Sequence, residues 1–197
     1  MNRNKQILSK SLLVFFTVLI SLLALLYIAS WISARKNTSE NKKAIVFFDS
    51  VLTEKNAGVK QKKLSMIMPS LSFENTDYSA ILDIPSHDVH LPVRSKWQSQ
   101  FFDAAPCCLY GSCYDSSLII GGADHKGQFD FISDIDIGES VTVTDMTGTF
   151  FSYKIEKVKH SDNPSKSVLA NNDYDLTFYA KSNKTHDYII VQCLSNY

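Results

Sequence analysis

The sequence predicts a mainly β domain, a small closed barrel with short helices, carried behind a single N-terminal membrane-spanning helix. Three observations predict it. Ser11 to Ile32 runs 22 residues without a charge. Beyond about Tyr78 the chain breaks into short apolar or alternating segments separated by turn signals, the texture of a sandwich or barrel. The nine Tyr and twelve Phe, with the Val and Ile after residue 80, favour strands over helices. A length of 197 residues allows one ordinary globular domain plus such an extension. Twenty basic side chains balance twenty acidic ones, so nothing argues for a nucleic-acid partner, which wants a basic excess.

As a helix, Ser11–Ile32 is roughly 33 Å long, enough to cross a hydrocarbon core of about 30 Å. A cleaved signal peptide has an apolar core of only about 7–15 residues, and no small-x-small cleavage site follows this one. The segment is apolar on every face, which suits lipid better than one side of a soluble core. It is therefore read as an uncleaved, single-pass signal anchor over residues 11–32. Arg3, Lys5 and Lys10 flank it on the N-terminal side, which places residues 1–10 in the cytoplasm and the C-terminal domain outside the cell.

Residues 33–77 are expected to form a juxtamembrane stalk, partly helical. Ser39 is placed to cap a helix running to about Lys55, with Ile45, Val46, Phe48, Val51 and Leu52 on its apolar face. NAGVKQKK then reads as a linker. The barrel domain, 78–197, opens with strands at Ala80–Ile84 and Val89–Val93, the second interrupted by Pro92 and so suited to an edge. Ser117–Gly121 is a buried strand. Ser140–Asp145 and Thr149–Val158 form a hairpin around Asp145-Met146-Thr147-Gly148. Tyr174–Ala180 and Tyr188–Cys193 form a second hairpin around a polar loop. Seven or eight strands suffice to close a small barrel.

Several of these pieces together resemble the sortase family, in particular class B-like sortases of Gram-positive bacteria. YSAILDIPSHDVHLPV resembles the family's opening strands, with Ile84-Pro85 and Leu91-Pro92-Val93 in an "IP…LPV" pattern. In SSLIIGGADHKGQFDFISDIDIGESVTVTDMTGTFFSYKIEKV, the residues Ile119-Ile120, Gly122, Phe129, Gly138, Val141, Asp145, Gly148 and Tyr153 fall where the family has them. YDLTFYA resembles the strand that leads to the family's nucleophile. The resemblance covers roughly Tyr78 to Cys193. It implies an eight-stranded sortase-like β-barrel on the outer face of the cell membrane. Its active members are cysteine transpeptidases, which cleave a sorting signal, hold the protein as a thioester and pass it to an amine. That chemistry needs a thiolate, a histidine acid–base partner and an arginine that steadies substrate and oxyanion.

At the three corresponding places this chain has other residues. IIGGADH puts Ala123 where the family has histidine, with His125 two residues on. DLTFYAK puts Lys181 at the cysteine, and the next strand begins with Tyr188 at the arginine. The resemblance therefore implies a degenerate member that binds a sorting-signal peptide, or associates with an active sortase, without catalysis. An alternative keeps an active transpeptidase with Cys193 as nucleophile and His125 as base, but this leaves no final strand to close the barrel and no arginine. A third reading is a purely structural surface domain. If Lys181 sits on the floor of the old cleft, burial would also depress its pKa.

Cys107, Cys108, Cys113 and Cys193 face an oxidising environment in this reading. The resemblance implies a disulfide between Cys107 and Cys193. Cys108 with Cys113 is a further pairing, and free buried thiols another, since four cysteines allow three connectivities. No metal or cofactor is expected. Cys108 and Cys113 lack zinc spacing, and Asp130, Asp134, Asp136 and Glu139 lack the glycine turn and distal glutamate of a calcium loop, reading instead as a solvated acidic loop. His87, His90, His160 and His186 are expected at the surface.

Overall fold

In the computed structural model the residues described are 2–56, 67–97, 104–164, 169 and 173–196. The expected linker NAGVKQKK begins at Asn56, the last helical residue, and its remaining residues, 57–63, lie outside the described ones. The chain divides into two compact units, Met1–Lys36 and Asn37–Tyr197. Helix α1, Asn2–Asn56, contributes to both. Neither glycine nor proline occurs before Gly58, so nothing in the covalent chain interrupts i→i−4 pairing. That is why the polar run NTSENKK, expected as a stalk with a cap at Ser39, is helical throughout. Within the first unit, Leu12–Ala29 is long and apolar enough to cross a membrane and none of it is buried.

The second unit is built on nine strands. These are β1 Leu71–Phe73, β2 Thr76–Ile84, β3 Val89–Arg94, β4 Cys107–Tyr110, β5 Leu118–Ala123, β6 Ser140–Asp145, β7 Phe150–Ser161, β8 Leu176–Lys181 and β9 Tyr188–Ser195. Their order is β1-β2-β3-β4-β5-β8-β9-β7-β6, and β6 also pairs with β2. That last pairing joins the ends, so β2 to β9 form a closed eight-stranded barrel with β1 as a short flap. Closure joins the two ends of the sheet, and its thinnest seam is between β3 and β4, which share a single residue pair.

Alternation decides what fills the interior. Ala80, Leu82 and Ile84 of β2, Leu118 and Ile120 of β5, Val141 and Val143 of β6, and Leu176, Phe178 and Ala180 of β8 all point inward and are buried. Ile189, Val191 and Cys193 do the same from β9. Phe129, Phe131 and Ile132, from the segment after β5, join this core, with the Phe129 and Phe131 rings 5.9 and 6.5 Å from that of Phe178. A second, smaller cluster lies outside the barrel, where Ala44, Phe48 and Leu52 of α1 pack on Tyr78, Ile81 and Met146. These helical residues are spaced i, i+4, i+8 and so share one face. Phe48 has no exposed surface and its ring lies 5.2 Å from that of Tyr78. Val46, expected on the packed face, is instead 70% exposed.

Two strands were not legible in the sequence. β1 is only three residues, and its hairpin to β2 turns through Glu74 and Asn75, both at positive φ (43° and 65°) without a glycine to signal them. β4 is four residues, held to β3 by the single pair Arg94–Cys107 and to β5 by three. The β6–β7 turn matches expectation. Asp145 Oδ1 accepts from the Thr147 and Thr149 amides at 2.8 and 3.0 Å, an Asx-type turn completed by Gly148 at φ 87°.

Candidate functional site

Parallel pairing of β5 with β8 sets the site. It brings the C-terminal ends of both strands to one end of the barrel, where antiparallel β9 begins. In the resulting register Ala123 is opposite Lys181, and Lys181 is opposite Tyr188. Three residues far apart in the chain thus stand abreast on neighbouring strands, spaced about 4.8 Å apart. All three line one groove of about 830 Å³, together with Trp97, Leu109, Tyr179, His125 and His186.

Each wall has a local cause. After β5 the chain turns tightly, because the Ala123 carbonyl accepts from the amides of His125 (2.9 Å) and Phe129 (3.1 Å). The Ala123 amide donates to Oε1 of the buried Gln128 at 2.9 Å. This turn carries His125 into the groove beside Ala123. The other wall is the β8–β9 loop, Ser182 to Asp187, closed by the Ser182 amide donating to the Asp187 carbonyl at 2.8 Å. Asp124 joins the two walls: its Oδ2 accepts from the Asn183 amide at 2.7 Å, and its carbonyl accepts from the Asn183 side chain. Ser133 with Ser182 (3.2 Å) and Lys184 with Asp134 (3.1 Å) fasten the same loop to the chain after β5.

Lys181 is exposed, so the buried position considered for it on the cleft floor is not met. Its Nζ lies 6.0 Å from the centroid of the Tyr188 ring, at the outer range of a cation–π contact. Tyr179, two residues earlier on the same face, lies 6.1 Å from Tyr188. Burial, then the nearby Cys107 thiol, raises the Tyr179 pKa. Alternation from Lys181 would have pointed to Tyr179 in the sequence. Trp97, Asp124 and Asn183 enter from loops and gave no such signal.

The alternative centre is not assembled. Cys193 lies five residues along β9 from Tyr188, about 16 Å at strand rise, and opposite Ile155 and Leu176. Its thiol is wholly buried in the barrel core, and burial followed by the charge of Glu156 pushes its pKa far up. His125 is beyond the other end of β5. The expected disulfide is not formed either, since all four cysteines are free thiols. Cys107 lies on β4 with its thiol against the Gly121 carbonyl at 3.7 Å, while β5 and β8 stand between it and β9. Cys108 lies against Ser79 at 3.2 Å instead of Cys113.

Among the described residues no three His, Cys, Asp or Glu side chains gather to hold a metal. The acidic loop is not simply solvated. Burial opposes ionisation of Glu139, but hydrogen bonds from Ser86, the Asp136 amide and His87 outweigh it and lower its pKa. His90 is likewise tied down, between Asp83 and Asp49.

No protein-family model matches the chain, and no curated protein does. Solved structures do. The sortase D5 transpeptidase of Clostridium perfringens is 19% identical with a TM-score of 0.59, over 81% of this chain and 99% of its own. The fold is that of the sortases. Sortase A of Corynebacterium diphtheriae (16% identical, TM-score 0.56, 83% of this chain and 92% of its own) has the same barrel. So does sortase C of Streptococcus pneumoniae (12%, 0.56, 83% and 93%). These belong to classes A, C and D5, so the class B-like character rests on the sequence motifs. Identities this low carry the sortase fold and leave the chemistry to be argued from the residues present.

Proposed function

We propose that the protein is a membrane-anchored, extracellular pseudo-sortase of a Gram-positive surface, which binds a sorting-signal-like peptide, alone or beside an active sortase, without cleaving it. One observation carries this reading: Ala123, Lys181 and Tyr188 stand abreast in the groove at the places the sequence motifs align with histidine, cysteine and arginine. Transpeptidation needs a thiolate to form the thioester. A lysine ammonium at that place has no lone pair, and alanine can neither take nor give a proton. The groove itself is retained and pre-formed, which favours a binding module over a purely structural domain. The exposed apolar run Leu12–Ala29 supports single-pass anchoring, and Arg3, Lys5 and Lys10 support an inside N-terminus.

The test uses the full chain in nanodiscs, incubated with fluorescent sorting-signal peptides and an excess of a primary amine. Saturable binding with no cleavage is the expected result. Turnover that Cys193→Ala abolishes would restore the active-transpeptidase reading. Absence of both binding and turnover would leave the structural role.

A further inference from the structure

Resting on that peptide-binding reading, we infer that the groove selects a chain that ends in a carboxylate at Lys181. Three features of the groove lead there. First, Lys181 is exposed and, among the described residues, makes no ion pair; its Nζ stands 6.0 Å from the centroid of the Tyr188 ring. Second, the described lining of the groove holds no exposed carboxylate. His125 and His186 line it with Lys181, and the only acidic residue among the described lining, Asp124, is 8% exposed and turned to the Asn183 amide. The neighbouring carboxylates are similarly engaged, Asp134 by Lys184 and Asp187 by His160 at 2.6 Å. An anion entering here meets an ammonium that no carboxylate among the described residues pairs with.

Third, the paired strands that line the groove end at Lys181. Ala123 and Lys181 are the last residues of β5 and β8, and the loops that follow are laced together by Asp124 and Asn183. A peptide laid along these two parallel strands meets that lacing directly past Lys181. An uninterrupted chain must leave the groove there, whereas a chain end stops at the ammonium. The aromatic wall of Tyr179, Tyr188 and Trp97 then packs the residues before the end, and the carboxylate makes a charge-assisted hydrogen bond to Nζ. The ligand class is thus a processed peptide, one already cleaved to expose its C-terminus.

The experiment measures fluorescence anisotropy on the full chain in nanodiscs, using a fluorescein-labelled random hexapeptide pool in three forms. One ends in a free carboxyl group, one in a carboxamide, and one in a carboxamide with glutamate fixed as its last residue. The free acid is expected to bind about tenfold tighter than the carboxamide, the effect of one charge-assisted contact. Lys181→Gln should cut that ratio to below about twofold while carboxamide binding persists, and Lys181→Arg should keep most of it. Equal binding of acid and carboxamide, or discrimination that survives Lys181→Gln, overturns the inference and leaves peptide binding intact. Tight binding of the glutamate carboxamide overturns the chain-end assignment in favour of an acidic side chain. Failure of every pool to bind overturns the peptide-groove reading itself.

Discussion

The four cysteines offer the sharpest check on whether this barrel can run thiol chemistry. The perturbation is a thiol reagent, applied to the reduced, folded, full-length protein at pH 8. Reactivity follows the thiolate fraction. An ordinary thiol with pKa about 8.5 is about one-quarter thiolate at that pH. Burial pushes Cys107 and Cys113 up to about 12 and Cys108 up to about 11, and raises Cys193 further. Even Cys108, the least perturbed, is then only about 0.1% thiolate, a suppression of roughly 200-fold before steric exclusion is counted. Ellman's reagent should therefore find no fast-reacting thiol in the folded protein and four in guanidinium chloride. A Lys181→Cys variant should add one fast thiol, because that position is exposed. The reasoning would be refuted by a native cysteine that reacts within seconds, above all one mapped to Cys193 by peptide mass.

Three further outcomes are expected. Phe48→Ala should lower unfolding free energy by about 3–5 kcal/mol, because a fully buried ring packed on Phe73 and Tyr78 is lost; a loss below about 1 kcal/mol in urea titration would mean α1 is not part of the domain's core. Gly122→Ala places a Cβ 2.6 Å from the Phe129 ring, an overpacking cost of about 1–3 kcal/mol less the 0.4–1 kcal/mol gained from a stiffer unfolded chain. Tm should fall by a few degrees, and an unchanged Tm would show that the ring has room to move. His90 has its pKa raised to about 9, by its hydrogen bond to Asp83 first, against desolvation, and then by the charges of Asp83 and Asp49. A raised folded-state pKa stabilises the fold fully below the unfolded value of about 6.5 and is lost as pH climbs through about 9. Wild type should thus lose stability relative to His90→Gln across that window, and parallel pH profiles would remove His90 from the account.

Local patterning was enough for much of the barrel. The alternation in Ser140–Asp145, the Asp145–Gly148 turn and the apolar runs at Leu118 and Ile189 each declare a strand, because side-chain period and turn chemistry are written within a few residues. The uncharged run at the N-terminus declares itself for the same reason. β1 and β4 stayed hidden because three or four residues hold no period, and their pairing partners supply the order. The uninterrupted α1 was obscured by the polar run NTSENKK, which read as a stalk with a new helix capped at Ser39. Helix continues through it because no residue there breaks the backbone pattern, and tertiary packing at Ala44, Phe48 and Leu52 rewards its last turns.

The site divides along the same line. From sequence alone came the order of motifs, and with it the candidate places Ala123, Lys181 and Tyr188. That these three share a floor is a property of strand register, which sequence motifs do not contain. Only the folded barrel pairs β5 with β8 in parallel, turns Cys193 inward to the core, and keeps two strands between it and Cys107. Side-chain direction along a strand flips with every residue, so the depth of a cysteine and the exposure of a lysine are decided by closure of the barrel and not by composition.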